Sequence, residues 1–308
     1  MSYEAQVLAD SISPANHRVT SLQVTMPRFI LAEFNTHRVH SRNSASSRAI
    51  PVERRIEQIR SAPFVPEAFG KNKSGMQASE GLDADKDAIA RELWRDAAAD
   101  AVKHAAALAR IEVHKQHANR VIETYAWHTV VVTSTEWDNW DALRVSKLAQ
   151  PEMFKVAGMM KEVRAASSPR RVDYVDWHLP YVESDDVGAY LQANAANGRT
   201  RSELMLDMAK LSAGRCAAVS YERQSSTSDM TKAIARADGL VSNGHMSPLE
   251  NALRPMNIHE LEIFGKAEYV WNKVAFVPTG RLRYFLGNVE GWVQLRKMIP
   301  GEDVYRGE

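Results

Sequence analysis

The longest periodic segment of the chain is an alanine-rich stretch that runs from Asp87 to about Ile122. Alanine has the highest helix propensity and permits close helix packing. Apolar residues recur at steps of three and four, the spacing that places side chains on one face of an α-helix; they are Ile89, Leu93, Ala97, Ala101, Ala105 and Leu108. The sequence therefore predicts one long helix over 87–122 that buries this face against other elements.

Short β-branched runs predict the strands that accompany this helix. Residues 127–133, WHTVVVT, predict one strand, and the alternation over 19–26 predicts another. A helix is expected after Pro51, because proline suits the first helical turn. The remaining expectations are helices over 136–148, 150–166, 201–219, 229–243 and 287–298, a strand over 268–279, a long loop over 63–87 and irregular acidic chain over 172–200. This mixture predicts a helix-rich α+β fold, with a small mixed or antiparallel sheet packed against long helices.

Composition excludes several classes of protein. Lys and Arg number 39 and Asp and Glu 38, a net charge of +1, whereas proteins that coat nucleic acid are usually far more basic. The single cysteine excludes intramolecular disulfides and multi-cysteine metal sites, and neither glycine-rich nucleotide motif is present. Because there is no apolar run of about 18 residues and no signal peptide, we expect a cytoplasmic protein without a membrane span.

A second constraint is the polar segment over 36–55, which begins THRVHSRNSASSR. It carries five arginines against one glutamate, a local charge of +4 in a chain of net charge +1. Arginine presents a planar fork that suits phosphate, and serine hydroxyls with backbone N–H groups complete such a site. The segment therefore indicates a site for a nucleotide phosphate; the alternative left open is a solvated loop before a helix.

Other polar residues each have a structural and a functional interpretation. Arg120 and Arg144 are either partners of helix C-terminal dipoles or converge on one anion. Ser247 and Glu250 fit a helix capping box, and Cys216 fits a buried structural position. Histidines three residues apart suggest a metal site only weakly, because no cysteine or H-E-x-x-H pattern accompanies them; the pairs are His37 with His40 and His114 with His117.

The segment THRVHSRNSASSR resembles the signature of the flavin-dependent thymidylate synthases, the ThyX family, whose motif is R-H-R-x-x-S-x-N-x-x-S-x-R. The matching positions are His37, Arg38, Ser41, Asn43, Ser46 and Arg48. Further segments resemble other family elements; they are HANRVIE (117–123), TSTEWDNWDALR with AQPEM (133–153), CAAVSY (216–221) and GHMSPLEN (244–251).

The order of these elements differs from that of most family members. In those proteins the V-S and G-H-x-S-x-x-E elements precede the signature, whereas here they follow it. The chain therefore resembles a circularly permuted, divergent member, with a single domain over 1–308 made of a signature half, 1–170, and a second half, 171–308. Chain termini often lie close together, so permutation is compatible with an intact fold.

The resemblance implies a ThyX-like fold and methylation at C5 of a pyrimidine deoxynucleoside monophosphate, with dUMP favoured as substrate and dTMP as product. It implies FAD as cofactor, methylenetetrahydrofolate as carbon donor and NADPH as the source of electrons. It also implies a homotetramer whose sites combine residues of several subunits. No metal, membrane or nucleic acid is expected to take part.

Individual roles follow from the resemblance residue by residue. Arg144 is the implied catalytic group, which stabilises negative charge on the pyrimidine. The residues implied to hold the nucleotide are Ser46, Arg48, Arg120 and Arg144. The residues implied to contact FAD are His37, Arg38, Asn43, Asn139, Ser220, His245, Ser247 and Glu250.

Several positions depart from the family pattern and leave alternatives open. Thr36 stands where the first signature arginine belongs, and Arg42 or a C-terminal arginine is the candidate replacement. Ser44, Ala49 and Asn251 stand where glutamate, tyrosine and histidine are usual. Since polar changes near the ring select the base, the alternatives are dCMP as substrate, giving 5-methyl-dCMP, or a hydroxymethylated product. An alternative of another class is a non-enzymatic nucleic-acid-binding protein.

Overall fold

Five strands form one mixed sheet in this computed structural model, which describes residues 2–75, 78, 80–220, 230–261, 274–276, 282–300 and 302. The strand order is β3-β4-β2-β1-β5, and all neighbours are antiparallel except β1 and β5, which are parallel. The strands are β1 (Glu4–Ile12), β2 (Arg18–Pro27), β3 (Ser41–Ser44), β4 (Trp127–Ser134) and β5 (Arg170–Arg171). The predicted α+β class with a small mixed sheet is confirmed.

One face of this sheet is hydrophobic because β2 alternates between apolar and polar residues. Leu22 and Val24 lie opposite Val132 and Val130 of β4 and form one buried surface. Helix α6 (Pro151–Ala166) covers this surface with Met153, Val156, Ala157 and Met160. The strands predicted over 19–26 and 127–133 and the helix predicted over 150–166 are confirmed. Helix α5 (Asp138–Arg144) is shorter than the helix predicted over 136–148.

The long alanine-rich helix, α3, runs over Ala84–Arg110 and ends earlier than predicted. Glu112 adopts the left-handed conformation, with φ of 62°, which ends a right-handed helix. A short helix, α4 (Lys115–Ala118), and a 3₁₀ helix (Asn119–Tyr125) follow. The prediction of one helix over 87–122 is wrong beyond Arg110, because apolar spacing does not reveal a single left-handed residue.

The buried face of α3 also differs from the predicted one. Val102 and Ala105, with Ala101 and Leu108 beside them, pack in a cluster with helix α2 (Val52–Ser61), whereas Ile89 and Leu93 are 57% and 64% exposed. Only the second half of α3 contributes to this core, so its first apolar residues stay in solvent. The helix expected after Pro51 is confirmed, as is the loop before α3, whose described residues contain an isolated bridge between Gly70 and Gly81.

The second half of the chain adds a helical layer. Helix α7 (Ser184–Ala193) replaces part of the irregular segment predicted over 172–200. Helices α8 (Arg201–Ala217) and α9 (Met230–Ser242) confirm the predictions over 201–219 and 229–243. Helix α8 begins with a capping box, in which Thr200 and Glu203 bond each other's backbone N–H groups. No described helix has both the length and the apolarity that crossing a bilayer needs.

Gly214 of α8 is required where α8 and α9 approach each other. A Cβ atom at this position would lie inside van der Waals contact of the backbone carbonyl of Ala233. We expect Gly214→Ala to lower the free energy of unfolding by about 2 kcal/mol, because the backbone of α9 cannot move aside cheaply. Chemical denaturation measures this. The control is Gly158→Ala in α6, where a Cβ meets no atom within 4 Å and where alanine is expected to be neutral or slightly stabilising.

The C-terminal region contains strands where a helix was predicted over 287–298. Strand β6 (Leu253–Pro255) pairs with β10 (Trp292–Gln294), and a 3₁₀ helix (Leu295–Met298) follows. Gly287 and Gly291 have φ of 77° and 70°, conformations that interrupt a right-handed helix. Strands β7 (Val274–Phe276), β8 (Leu282–Leu286) and β9 (Val289–Glu290) form a three-stranded sheet. Val274–Phe276 confirms part of the strand predicted over 268–279; the rest lies outside the described residues.

A buried polar network joins the two halves of the chain on the other face of the sheet. The His178 ring lies 2.9 Å from Ser11 Oγ and 2.8 Å from Ser21 Oγ. Ser21 bonds Thr133 on the neighbouring strand, and the Thr133 hydroxyl donates to Asn251 Oδ1 at 2.8 Å. Every side chain of this network is buried, so each bond compensates for a group removed from water.

Candidate functional site

Strand β3 and the turn after it border a cleft of about 640 Å³. Arg42, Arg48 and Lys115 give this cleft positive charge, and His114 and His245 lie among them. Its other polar lining residues are Asn43, Ser44, Ser46, Gln116 and Ser247, and no described lining residue is acidic. A cavity of this size with cationic and neutral donors suits a phosphate-bearing small molecule.

Side chains from both halves of the chain position the polar strand β3. Asn43 donates from its amide to the backbone oxygen of Cys216 at 2.7 Å and accepts from the Ser247 hydroxyl at 3.4 Å. Gln294 donates to the Ser41 hydroxyl at 2.7 Å and to the backbone oxygen of Glu250 at 3.1 Å. The structure therefore brings predicted residues 43, 46, 48, 245 and 247 to one cleft, although they are distant in sequence.

One end of the cleft is formed by the turn that carries Ser46 and Arg48. The N–H of Ala49 donates to the Ser46 backbone oxygen at 2.9 Å, and Lys115 Nζ donates to the Ala49 backbone oxygen at 3.2 Å. Lys115 is held against the turn, while the side chains of Ser46 and Arg48 are exposed. Three donors of this kind around one turn form a suitable site for a phosphate group.

Arg144 lies in a second cluster and does not line the cleft among the described residues. Its Nε donates to His37 Nε2 at 2.8 Å, its Nη2 donates to the Thr36 hydroxyl at 3.2 Å, and its Nη1 pairs with Glu33. Burial, with Arg144 and Arg42 nearby, lowers the pKa of His37. Because His37 Nε2 accepts this bond, the ring is neutral and carries its proton on Nδ1.

Arg120 also lies outside the cleft and is paired with an acidic residue. Its Nη1 lies 2.9 Å from both carboxylate oxygens of Glu123, which also accepts from Ser47 and from Arg28 at 3.5 Å. Burial opposes the charge on Glu123, but the bonds from Ser47 and Arg120 lower its pKa below its ordinary value. The resemblance implies that Arg120 holds the nucleotide, and the sequence does not identify Glu123, its partner within one chain.

The remaining predicted FAD residues are dispersed. Glu250 pairs with Arg296, a C-terminal arginine, and the 3₁₀ helix Ser247–Glu250 has no side-chain cap, so the capping-box interpretation is wrong. Arg38 and Asn139 are exposed and do not line the cleft. The side chain of Ser220 lies outside the part of the chain that the structure describes. One subunit therefore presents two separate clusters of predicted site residues.

Cys216 and the pair His37 and His40 are buried and make packing contacts inside the protein. Cys216 is buried, and burial raises the pKa of its thiol, as expected for an inert cysteine. His37 and His40 stack with ring centroids 5.9 Å apart, and His40 also contacts Trp137 and Trp140. Among the described residues, no group of three or more His, Cys, Asp or Glu side chains converges as a metal site.

Sequence patterns do not identify three residues of these clusters. Lys115 lies in the segment that apolar spacing predicts as continuous helix, where a single lysine carries no functional signal. The other two residues are Glu33 and Glu123. An ion pair between two different elements, such as Glu33 with Arg144, leaves no fixed sequence spacing that could identify it. The only sequence signal for Glu123 is its position three residues after Arg120, the spacing of neighbours on a helix.

Comparisons with known proteins identify the family of the chain. The family described as thymidylate synthase complementing protein matches residues 6–170, just over half of the 308 residues. Two similar solved structures are of the UMP/dUMP methylase PolB from Streptomyces cacaoi, bound with 5-Br dUMP and with 5-Br UMP. They are 14% and 18% identical to this chain, cover 54% of it in both cases and 91% and 89% of their own length, and have TM-scores of 0.45. No curated relative matches the chain.

The matched residues reach from strand β1 to the first residue of β5 and include the signature segment, and the chain belongs to the thymidylate synthase complementing protein family, the ThyX family. It is a thymidylate synthase-like methyltransferase, so the non-enzymatic alternative is wrong. Its family chemistry is flavin-dependent methylation of a pyrimidine nucleotide.

Proposed function

We propose that the enzyme uses FAD to convert dUMP to dTMP with methylenetetrahydrofolate. A methyl group replaces the C5 hydrogen of the nucleotide; its carbon comes from the folate, which leaves as tetrahydrofolate. Bound FAD, reduced by NADPH, supplies the hydride that completes the methyl group. The observation that carries this proposal is the cationic cleft formed by the signature strand, β3, and by segments of the second half, with no acidic residue in its described lining.

We assign the nucleotide phosphate to Ser46 and Arg48, beside Lys115, since their donors surround one turn of the cleft. Arg42, which also lines the cleft, provides the charge that is missing at Thr36. Its Nη1 donates to the His37 backbone oxygen at 2.7 Å, which fixes its position. Arg120 is assigned to the same phosphate from a neighbouring subunit, because its partner within one chain is Glu123.

The residues assigned to FAD fit a dinucleotide without a glycine-rich turn. The amide of Asn43 and the hydroxyl of Ser247 lie 3.4 Å apart at the cleft, and His245 lies beside them. These donors bond phosphate and ring oxygens without a counter-charge. The assigned residues are His37, Arg38, Asn43, Asn139, Ser220, His245, Ser247 and Glu250.

We further propose a homotetramer with shared sites and a circularly permuted single domain. The separation of the Arg144 cluster from the cleft supports shared sites, because one subunit alone does not gather both sets. Contacts of β3 with Cys216, Ser247 and Gln294 support the permutation, since they unite the halves 1–170 and 171–308 at one strand. The single buried cysteine supports a cytoplasmic location.

The test is a product assay with each nucleotide. Purified protein is expected to be yellow with bound FAD, and to convert dUMP to dTMP when NADPH and methylenetetrahydrofolate are supplied, with products identified by mass. A colourless protein that also fails to bind added FAD contradicts the flavin proposal. Formation of product from dCMP alone contradicts the assignment of dUMP.

Methylation of dCMP is the second candidate, and the residue at position 44 is compatible with it. Ser44 lines the cleft at the position where a glutamate is usual in the signature. Uracil and cytosine differ at N3 and at the 4-position, and hydrogen-bonded sites discriminate such changes strongly. A serine hydroxyl both donates and accepts, so it accommodates either base, and the assay above decides between them.

A further inference from the structure

The guanidinium of Arg144 is held by three side chains from the segment just before β3. Glu33, Thr36 and His37, here called the Arg144 seat, receive its Nη1, Nη2 and Nε donors respectively. The side chains of Arg144 and Glu33 are only 19% and 29% exposed. An ion pair this shielded from water is stronger and better defined than a surface pair.

The seat leaves part of the guanidinium available. Arginine has five N–H donors, and the seat takes one each from Nε, Nη1 and Nη2. One N–H therefore remains on each of the two terminal nitrogens; these two donors are here called the Arg144 fork. The seat orients Arg144 and leaves both of these donors for a ligand.

The acceptors of the seat are themselves fixed. The Thr36 hydroxyl donates to the backbone oxygen of Glu33 at 2.7 Å, so its lone pairs are turned to Arg144. The His37 ring lies edge-on to Trp140, with centroids 4.7 Å apart. Rotation of Arg144 away from this position would break three bonds at once.

We propose that Glu33 and Thr36 are positioning residues that fix the Arg144 fork toward the pyrimidine ring. This inference rests on the proposed methylation and on the role that the family resemblance implies for Arg144, the stabilisation of negative charge on the pyrimidine. It also gives Thr36 a role of its own: the residue that replaces the signature arginine holds Arg144 instead of holding the phosphate. An arginine at position 36 would place a second guanidinium beside Glu33 and compete for its carboxylate.

The kinetic test replaces each acceptor side chain by the side chain that is closest to it in shape. Glu33→Gln is expected to lower kcat by about 10- to 100-fold with little change in KM, because a charge-assisted bond is lost while the ground-state contacts remain. Thr36→Val, which removes only the hydroxyl, is expected to lower kcat by about 3- to 10-fold, and Thr36→Ser is expected to restore it. The double variant Glu33→Gln with Thr36→Val is expected to lose less than the product of the single losses, because both act through Arg144.

The matched control is Glu67→Gln, which removes the carboxylate of an exposed pair with Lys155 and is expected to leave kcat unchanged. A second readout does not require turnover. In protein with ¹⁵N-labelled arginine, the Nε–H resonance of Arg144, identified by its absence from Arg144→Lys, is expected to shift in Glu33→Gln and in Thr36→Val and to stay in place in Glu67→Gln.

The two readouts separate the inference from the proposed function. If the wild-type enzyme turns over neither nucleotide, the proposed function fails, and the seat is then judged by the resonance alone. An unchanged resonance in both seat variants overturns the inference. An unchanged kcat in an active enzyme also overturns it, even if the resonance moves, because the seat would then orient Arg144 without consequence for the reaction.

Discussion

Replacing Arg144 by alanine is expected to lower kcat by about 100-fold or more, the usual cost of removing a group that stabilises developing charge. The protein is expected to keep its flavin, because the cleft beside β3 does not include Arg144. Arg144→Ala leaves Glu33 without its partner, so Arg144→Lys serves as a second variant that retains the charge but not the fork. Steady-state kinetics and flavin absorbance measure the two properties separately.

The control for this prediction is Arg110→Ala, which removes an exposed arginine at the end of α3 and is expected to leave kcat unchanged. A complementation test uses two variants that are each expected to be inactive, Arg144→Ala and Arg48→Ala. When the two are mixed and exchange subunits, part of the activity is expected to return, because some shared sites then receive Arg144 from one subunit and Arg48 from the other. Full activity in Arg144→Ala would remove this residue from the reaction.

Acidification is expected to destabilise the fold through three buried histidines. Burial is the first cause in each case and lowers the pKa of His40 and of His178 to about 3, and that of His128 well below its ordinary value. In the unfolded chain a histidine has a pKa of about 6.5. Between these values the unfolded chain binds protons that the folded chain does not, so the free energy of unfolding falls as the pH falls.

The size of this effect follows from the linkage. Relative to about pH 7.5, each such histidine is expected to lower the free energy of unfolding by about 2 kcal/mol at about pH 5. Denaturant unfolding at a series of pH values measures the slope. His178→Asn is expected to remove about one third of the contribution of these three histidines, whereas Gly214→Ala, which destabilises but keeps all three, is expected to keep it. An identical slope in His178→Asn would show that His178 does not contribute.

The elements that the sequence predicts well are those with a repeating pattern and a neighbour to pack on. Strand β2, strand β4 and helix α6 form one core; β2 alternates between apolar and polar residues, and β4 is rich in β-branched residues. Helix α7 was missed because its apolar stripe is short, consisting of Val187, Tyr190 and Leu191, and because none of its residues is fully buried. The prediction of a helix over 287–298 was wrong because Trp292 and Leu295 are equally compatible with a strand and the turn that follows it.

Site residues that lie together in one short segment could be predicted from the sequence. Site residues that come together only in the folded protein could not. The spacing of Asn43, Ser46 and Arg48 identified the signature, and the structure places all three at the cleft. The partners of the arginines were not predictable, because Glu33 and Arg144 are 111 residues apart and meet only when α5 folds back onto the segment before β3. Polar contacts of this kind leave no periodicity in the sequence.

The buried network around His178 has a consequence for the order in which the protein is made. The first half of the chain leaves the ribosome before His178 and Asn251 exist, with Ser11, Ser21 and Thr133 on the face that they later cover. Hydroxyls in water do not drive association with other chains as exposed hydrocarbon does. Before the second half of the chain is made, this face of the sheet is therefore polar and can be solvated by water. The second layer then binds to it through complementary hydrogen bonds.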